Sequence, residues 1–233
     1  MSKQTNIALE RGSRAFICGT SGSGKTTLAL ALMQVCPSPL VVLDTKYDPG
    51  IAAWARKNGV RIEKRRMPDW RKIDRDLVIR PPADWLSHPE DIDWWLGQAF
   101  QCKYIPSIYV DEGYQAGAGS NRMGEGVAGL WTRGRVFGMR LMIGTQRPRF
   151  ISRFVITESD RIYEGRLMLE DDRKALVAGT GQPGALEIMK PRHFLFIRQD
   201  GSEPLIINDL VIRTAPEYNR DNRLQTRVRM RRN

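Results

Sequence analysis

Residues 19–27 read Gly-Thr-Ser-Gly-Ser-Gly-Lys-Thr-Thr, a complete GxxxxGK[ST] loop. The run before it, Ala15–Cys18 (AFIC), is short, apolar and stopped by glycine, as a buried strand is. The run after it, Lys25–Cys36, is rich in Leu, Ala and Met and ends at Pro37, which predicts a helix. A glycine-rich turn between a strand and a helix N-terminus is a phosphate cradle. The glycines Gly19, Gly22 and Gly24 let the backbone curl, so that N–H groups from Thr20, Ser21, Ser23 and their neighbours can converge on an anion. Lys25 reaches the outer phosphates, the Thr26 hydroxyl suits Mg²⁺, and Thr27 continues the first helical turn. ATP with Mg²⁺ is therefore the expected ligand.

Working outward, strands and helices alternate. Strands are predicted at 40–43, 77–79, 108–110, 141–143, 161–167, 194–197 and 204–207, and helices at 51–57, 90–102, 125–137 and 171–178. This pattern predicts an α/β fold of the P-loop NTPase type, with a mostly parallel central sheet, flanking helices and extra C-terminal strands. Residues 1–219 read as a single domain and 220–233 as a basic tail.

Two other strand ends carry chemistry. Ile108-Tyr109-Val110-Asp111-Glu112 puts two carboxylates at the tip of an apolar strand: Asp111 to hold Mg²⁺ through its hydration shell, Glu112 to polarise an attacking water. A phosphotransferase acting on a small hydroxyl compound must exclude water, so the doublet favours hydrolysis over a nucleotide kinase. Leu141–Ile143 leads through Gly144-Thr145 to Gln146, whose amide can bond a γ-phosphate or the lytic water.

The chain has 233 residues, with 41% hydrophobic and 27% charged, and carries a net charge of +11. The last 14 residues hold six arginines against one aspartate, so +5 of that charge lies in the tail. An arginine-rich arm suits polyanions, because the guanidinium fork donates two hydrogen bonds to a phosphate. Three unpaired-looking cysteines, two histidines and no long apolar run point to a reducing, cytoplasmic setting and exclude a disulfide framework, HExxH metal chemistry and a membrane span. Gly113–Gly126, with five glycines, reads as a mobile loop bearing Arg122. Arg61–Asp76, with seven basic and four acidic residues, reads as a solvated face. Trp94 and Trp95 are expected in the core or a subunit seam, and Asp91 and Asp93 at the favourable start of their own helix.

Four segments together, GTSGSGKTT (19–27), VVLDTK (41–46), IYVDE (108–112) and LWTRGRVFGMRLMIGTQRPR (130–149), resemble the FtsK–HerA superfamily of P-loop motor ATPases. The Asp44-x-Lys46 strand end and the Thr-Gln-Arg-Pro quartet behind a Gly-Arg-x-x-Gly approach are the specific parts. The resemblance implies a homo-oligomeric ring, pentameric or hexameric, that moves double-stranded DNA, or in some branches protein or filaments. It also implies an arginine acting on a neighbour's nucleotide; the candidates are Arg133, Arg135 and Arg140, with Arg135 first and Arg140 second. A basic chain of this length with no appended domain is most similar to the genome-packaging ATPases of tailless icosahedral double-stranded DNA viruses with an internal membrane. That likeness implies a host-cytoplasmic protein that joins a packaging vertex, its tail docking on portal-vertex or membrane proteins. The alternatives are an export or assembly ATPase of the same superfamily, a P-loop nucleotide kinase, and a nucleotide-gated scaffold.

Overall fold

The structure is a computed structural model and describes residues 9–211 and 229–231. A ten-stranded sheet runs in the order β10-β9-β8-β7-β1-β6-β5-β2-β4-β3. Seven neighbouring strands are parallel: β7 (Arg161–Glu164), β1 (Arg14–Cys18), β6 (Arg140–Thr145), β5 (Ser107–Val110), β2 (Leu40–Leu43), β4 (Leu77–Ile79) and β3 (Arg61–Glu63). β8 (Phe194–Arg198), β9 (Leu205–Val211) and β10 (Arg229–Arg231) extend it antiparallel. Most of the expected Arg-rich tail, 220–233, lies outside the described residues; of it, Arg229–Arg231 are described and form β10.

Helices cover both faces because the parallel strands are apolar on both. On one face α1 (Lys25–Met33) and α2 (Pro49–Lys57) bury Leu28, Leu32, Ile51 and Trp54 against Ile17, Val42 and Tyr109. On the other, α4 (Pro89–Gly97), α5 (Glu125–Phe137), α6 (Arg153–Thr157) and α7 (Glu170–Thr180) enclose Phe16, Val41, Ile108, Leu141 and Ile162. Each such aliphatic or aromatic side chain, fully buried, contributes roughly 1.5–3 kcal/mol. Among the described residues no helix is long and apolar enough to cross a membrane.

Several expectations change. The strand from Arg161 ends at Glu164, not 167, because the Gly165 N–H donates 2.7 Å to the Cys18 carbonyl and the chain turns onto the phosphate loop. Helix α1 stops at Met33 and α4 at Gly97, each followed by looser turns. A short α3 (Ala83–Leu86), α6 and β3 were not expected. The 61–76 segment is not merely a solvated face, since Arg61–Glu63 pair with β4 and Trp70 drops into the core. Trp70 stacks on Trp95 at 4.5 Å, and each indole N–H donates to a backbone carbonyl of the other's segment, Trp95 and Pro68. Trp95 is thus core, while Trp94 is 63% exposed.

The glycine-rich segment 113–126 is packed rather than loose. Gly113, Ala116 and Ala118 are buried, and bridges Ala118–Met123 and Gly119–Ile151 tie it into a small hairpin. Its anchor is Asp93, which does not serve its own helix. The buried Asp93 carboxylate accepts from the Gly126 N–H (3.0 Å) and the Val127 N–H (2.8 Å), capping α5. A carboxylate there meets the positive end of the α5 dipole. Only glycine fits at 126, because a Cβ would sit 1.9 Å from the Asp93 carbonyl oxygen.

Candidate nucleotide site

Parallel strands end on one edge of a sheet, and here that edge gathers the chemistry. Cys18 at the tip of β1 lies level with Thr145 of β6 on one side and Glu164 of β7 on the other. Val110 of β5 lies level with Ile143 of β6 and with Leu43 of β2. The exits of β1, β6, β5 and β2 therefore emerge side by side: the phosphate loop, Gln146, Asp111-Glu112 and Asp44-Thr45-Lys46.

The loop is held by its neighbours. The Gly19 N–H donates to the Thr145 carbonyl (3.2 Å), and both the Thr20 N–H (2.9 Å) and the Thr20 hydroxyl (3.1 Å) donate to the Arg166 carbonyl. Gly22 and Gly24 have φ of 77° and 97°, the left-handed backbone that a β-carbon disfavours, and α1 starts at once after Gly24. Ser21, Gly22 and Thr27 are exposed, Thr20, Gly24 and Thr26 half-buried, and Gly19, Ser23 and Lys25 buried. Burial pushes the Lys25 ammonium below its ordinary range; the nearby Lys46 cation adds to that, and Asp111 and Glu112 oppose it. Lys25 is thus within electrostatic reach of one further cation and two carboxylates.

Asp111 is buried. Its Oδ1 accepts from the Tyr109 hydroxyl at 3.0 Å, while its Oδ2 has no partner among the described residues. Burial pushes its carboxyl up, and the nearest counter-effect is Lys46. An orphaned buried carboxylate oxygen is costly unless a cation arrives. Together with the Thr26 hydroxyl, which donates to Asp48 Oδ2 at 3.1 Å and keeps lone pairs for a metal, this fits Mg²⁺. Among the described residues no group of three His, Cys, Asp or Glu could hold a metal alone, so phosphate oxygens and water must complete such a shell. When bound, Mg²⁺ would draw charge from the phosphates.

Glu112 is occupied on both oxygens. Oε2 pairs with the Lys46 ammonium at 2.6 Å and accepts from the Gln146 N–H at 3.3 Å; Oε1 accepts from the Thr145 hydroxyl. Asp44, fully buried, accepts from Arg80 Nε (2.8 Å) and the Asp48 N–H (2.8 Å), and Arg80 also donates to the Asp48 carbonyl (3.0 Å). The Asp44-x-Lys46 pair is thereby divided, with Asp44 fixing the start of α2 and Lys46 reaching the Glu112 carboxylate. Gln146 is half-buried between Glu112 and the next turn.

The candidate arginines are not in this cluster. Arg135 lies in the last turn of α5, 65% exposed, 3.9 Å from Asp160 beside the start of β7, so it faces the opposite edge of the sheet. Arg133 lies over the Phe100 ring at 4.9 Å. Arg140 begins β6 on that same far edge, where its Nε donates to the Leu9 carbonyl at 2.8 Å.

Sequence reading missed several residues at the site. Arg166 staples the loop through its carbonyl, and Arg192 lies near Gly24, where a Cβ would come 3.7 Å from the Arg192 Cα. Asp172, buried at the start of α7, accepts from Arg147 Nε (2.9 Å) and the Arg149 N–H (3.2 Å), tying the exit of β6 to α7. Tyr114 and Phe150, exposed on the turns that follow Glu112 and Gln146, lie 6.0 Å apart by ring centroid. None of these has a motif to announce it.

No family model matches the chain, and no curated protein matches it significantly. Solved structures do. The genome packaging NTPase B204 from Sulfolobus turreted icosahedral virus 2, in complex with sulfate, has a TM-score of 0.67 at 14% identity, over 85% of this chain and 97% of that one. VirB4 of Thermoanaerobacter pseudethanolicus has a TM-score of 0.64 at 11% identity, over 93% and 99%. The chain shares the fold of these two proteins. EssC (ATPases 2 and 3) from Geobacillus thermodenitrificans shares it at a TM-score of 0.51 and 10% identity, over 85% of this chain and 43% of that one. In this chain the strand leading to Gln146 separates the phosphate-loop strand from the strand leading to Asp111 and Glu112, in the order β1-β6-β5.

Proposed function

We propose that this chain is an ATP-hydrolysing motor that translocates double-stranded DNA and packages a viral genome into a preformed capsid. The observation that carries the reading is the convergence of Lys25, Asp111, Glu112 and Gln146, from three strand ends, on one phosphate loop. Lys25 binds the β- and γ-phosphates, Thr26 and Asp111 hold Mg²⁺, Glu112 takes a proton from the attacking water, and Gln146 orients that water or the γ-phosphate. The likeness in fold to the genome packaging NTPase B204 supports the cargo. So does the net charge of +11.

The working form is a ring of five or six copies. In that ring Arg135 serves a neighbour's γ-phosphate, a reading supported by its exposure and its distance from its own phosphate loop, whereas Arg140 is held by the Leu9 carbonyl. DNA is gripped where the two γ-phosphate-reading segments exit. The hairpin tip exposes Ser120, Asn121 and Arg122, and Tyr114 and Phe150 lie at its base. The protein works in the host cytoplasm and joins the packaging vertex through its basic tail. The likeness to VirB4 and EssC supports a second reading, an export or assembly ATPase.

ATPase turnover with and without double-stranded DNA, across a salt series, separates the two. The packaging reading expects DNA to stimulate turnover and affinity to fall by ~10³–10⁵ between 50 and 200 mM salt if six to ten phosphates are gripped. No stimulation at any salt overturns it in favour of the export reading. Arg122→Ala is expected to lower stimulation several-fold and to spare basal turnover, since Arg122 lies outside the nucleotide cluster. Unchanged stimulation removes the hairpin from the grip.

A further inference from the structure

Lys46 is used by neither the phosphate loop nor the metal pair, yet it lies between them. Its ammonium is 2.6 Å from Glu112 Oε2, with side chains 27% and 11% exposed. It is also near enough to Lys25 to be the second cause of that group's lowered basicity, and near enough to Asp111 to be the leading influence opposing the effect of burial there. The backbone supports this placement. Leu43 of β2 pairs with Val110 of β5, so the exits Asp44-Thr45-Lys46 and Asp111-Glu112 run side by side. Asp44 and Asp48, clamped by Arg80, fix the turn that carries Lys46.

We propose that Lys46 is a second, γ-phosphate-reading lysine that holds Glu112 until a triphosphate draws it away. The inference rests on the nucleotide-hydrolysing reading of this site. Two ammonium groups close together in a half-dry cleft repel, and each needs an anion. Lys25 meets its anion in the β-phosphate. Lys46, with no phosphate present, has the Glu112 carboxylate.

In the nucleotide-free or diphosphate state, Glu112 is an ion-pair partner, bonded also to the Thr145 hydroxyl and the Gln146 N–H, and cannot accept a proton from water. A γ-phosphate brings a doubly charged group into the same cleft, one net negative charge more than the diphosphate. The flexible four-carbon stem of Lys46 lets the ammonium transfer from carboxylate to phosphate, while Thr145 keeps Glu112 aimed. The freed carboxylate then takes a proton from the attacking water. Departure of inorganic phosphate returns Lys46 to Glu112 and closes the cycle. The carboxylate is therefore competent only while a triphosphate is present.

The test is calorimetric binding of ATP and ADP, with Mg²⁺, to the full chain and to the Lys46→Met, Lys46→Arg, Glu112→Gln and Lys46→Met/Glu112→Gln variants. Lys25→Ala serves as the control for the site. Lys46→Met should weaken ATP by about tenfold to a hundredfold and ADP by less than threefold, the span of one charge-assisted hydrogen bond to phosphate. Lys46→Arg should restore most of the ratio. Glu112→Gln, which releases Lys46, should tighten ATP several-fold, and by clearly less when Lys46 is already methionine. An ATP-to-ADP preference unchanged in Lys46→Met, or additive effects in the double variant, overturns the proposal even if Lys25→Ala has lost ATP. If the natural chain binds no ATP, or Lys25→Ala binds as well as it does, the nucleotide reading itself falls.

Discussion

Glu112→Gln is expected to lower ATP turnover by ~10³-fold, within the 10²–10⁴ that a positioned proton acceptor supplies, while ATP remains bound. Glutamine keeps the shape and can still accept from the Thr145 hydroxyl and the Gln146 N–H, the contacts that aim the side chain. It cannot take a proton, and it forms no ion pair with Lys46. The phosphate loop is untouched, since its supports are the Thr145 and Arg166 carbonyls. Steady-state hydrolysis and equilibrium nucleotide binding, measured on the same preparation, check both halves. Turnover within threefold of the natural chain would remove Glu112 from the chemistry. Loss of binding would mean that its role is to build the pocket. A slowly cycling scaffold predicts almost no change, because it has little turnover to lose.

What the sequence could reveal of this site depended on how local each signal is. The phosphate loop is contiguous, and its flanks announce themselves as an apolar strand and an apolar helix; β1 and the start of α1 lie where expected, and α1 ends three residues early at Met33. Asp111, Glu112 and Gln146 each end an apolar strand, so their shared edge followed once the strands were parallel. The ion pair of Lys46 with Glu112 joins residues 66 positions apart and depends on β2 lying beside β5. Periodicity carries no information about strand order, so nothing local could announce it. Asp93 shows the same limit from the other side. Near the start of α4 it reads as a favourable first-turn acid, but it caps α5, which packs alongside. Glycines were read as looseness in 113–126, where they are spacers that let backbone approach Asp93.

Glu164 supports the second large effect. The strand predicted at 161–167 ends on it, and it is fully buried beside Cys18. Neither carboxyl oxygen has a partner among the described residues. Burial pushes its pKa from 4.5 up to about 9, opposed by the Arg173 charge. The folded chain therefore keeps Glu164 protonated where the unfolded chain has ionised it. Below about pH 4.5 both states are protonated and the group costs nothing. As pH rises from there toward 9 the unfolded state is increasingly favoured, so the native protein loses stability across that window. Glu164→Gln removes the titration. The variant should gain on the natural chain by about 2–4 kcal/mol between pH 5 and pH 8, given 1.36 kcal/mol per pH unit and some relaxation. Urea unfolding of both chains at the two pH values reads this directly, and the difference between them is insensitive to whatever the amide costs in packing. A gap that stays constant from pH 5 to pH 8 would mean that Glu164 ionises in the folded protein, which requires water or a cation beneath the phosphate loop. The strand tip next to Cys18 would then be a solvated floor to the nucleotide site and not a dry one.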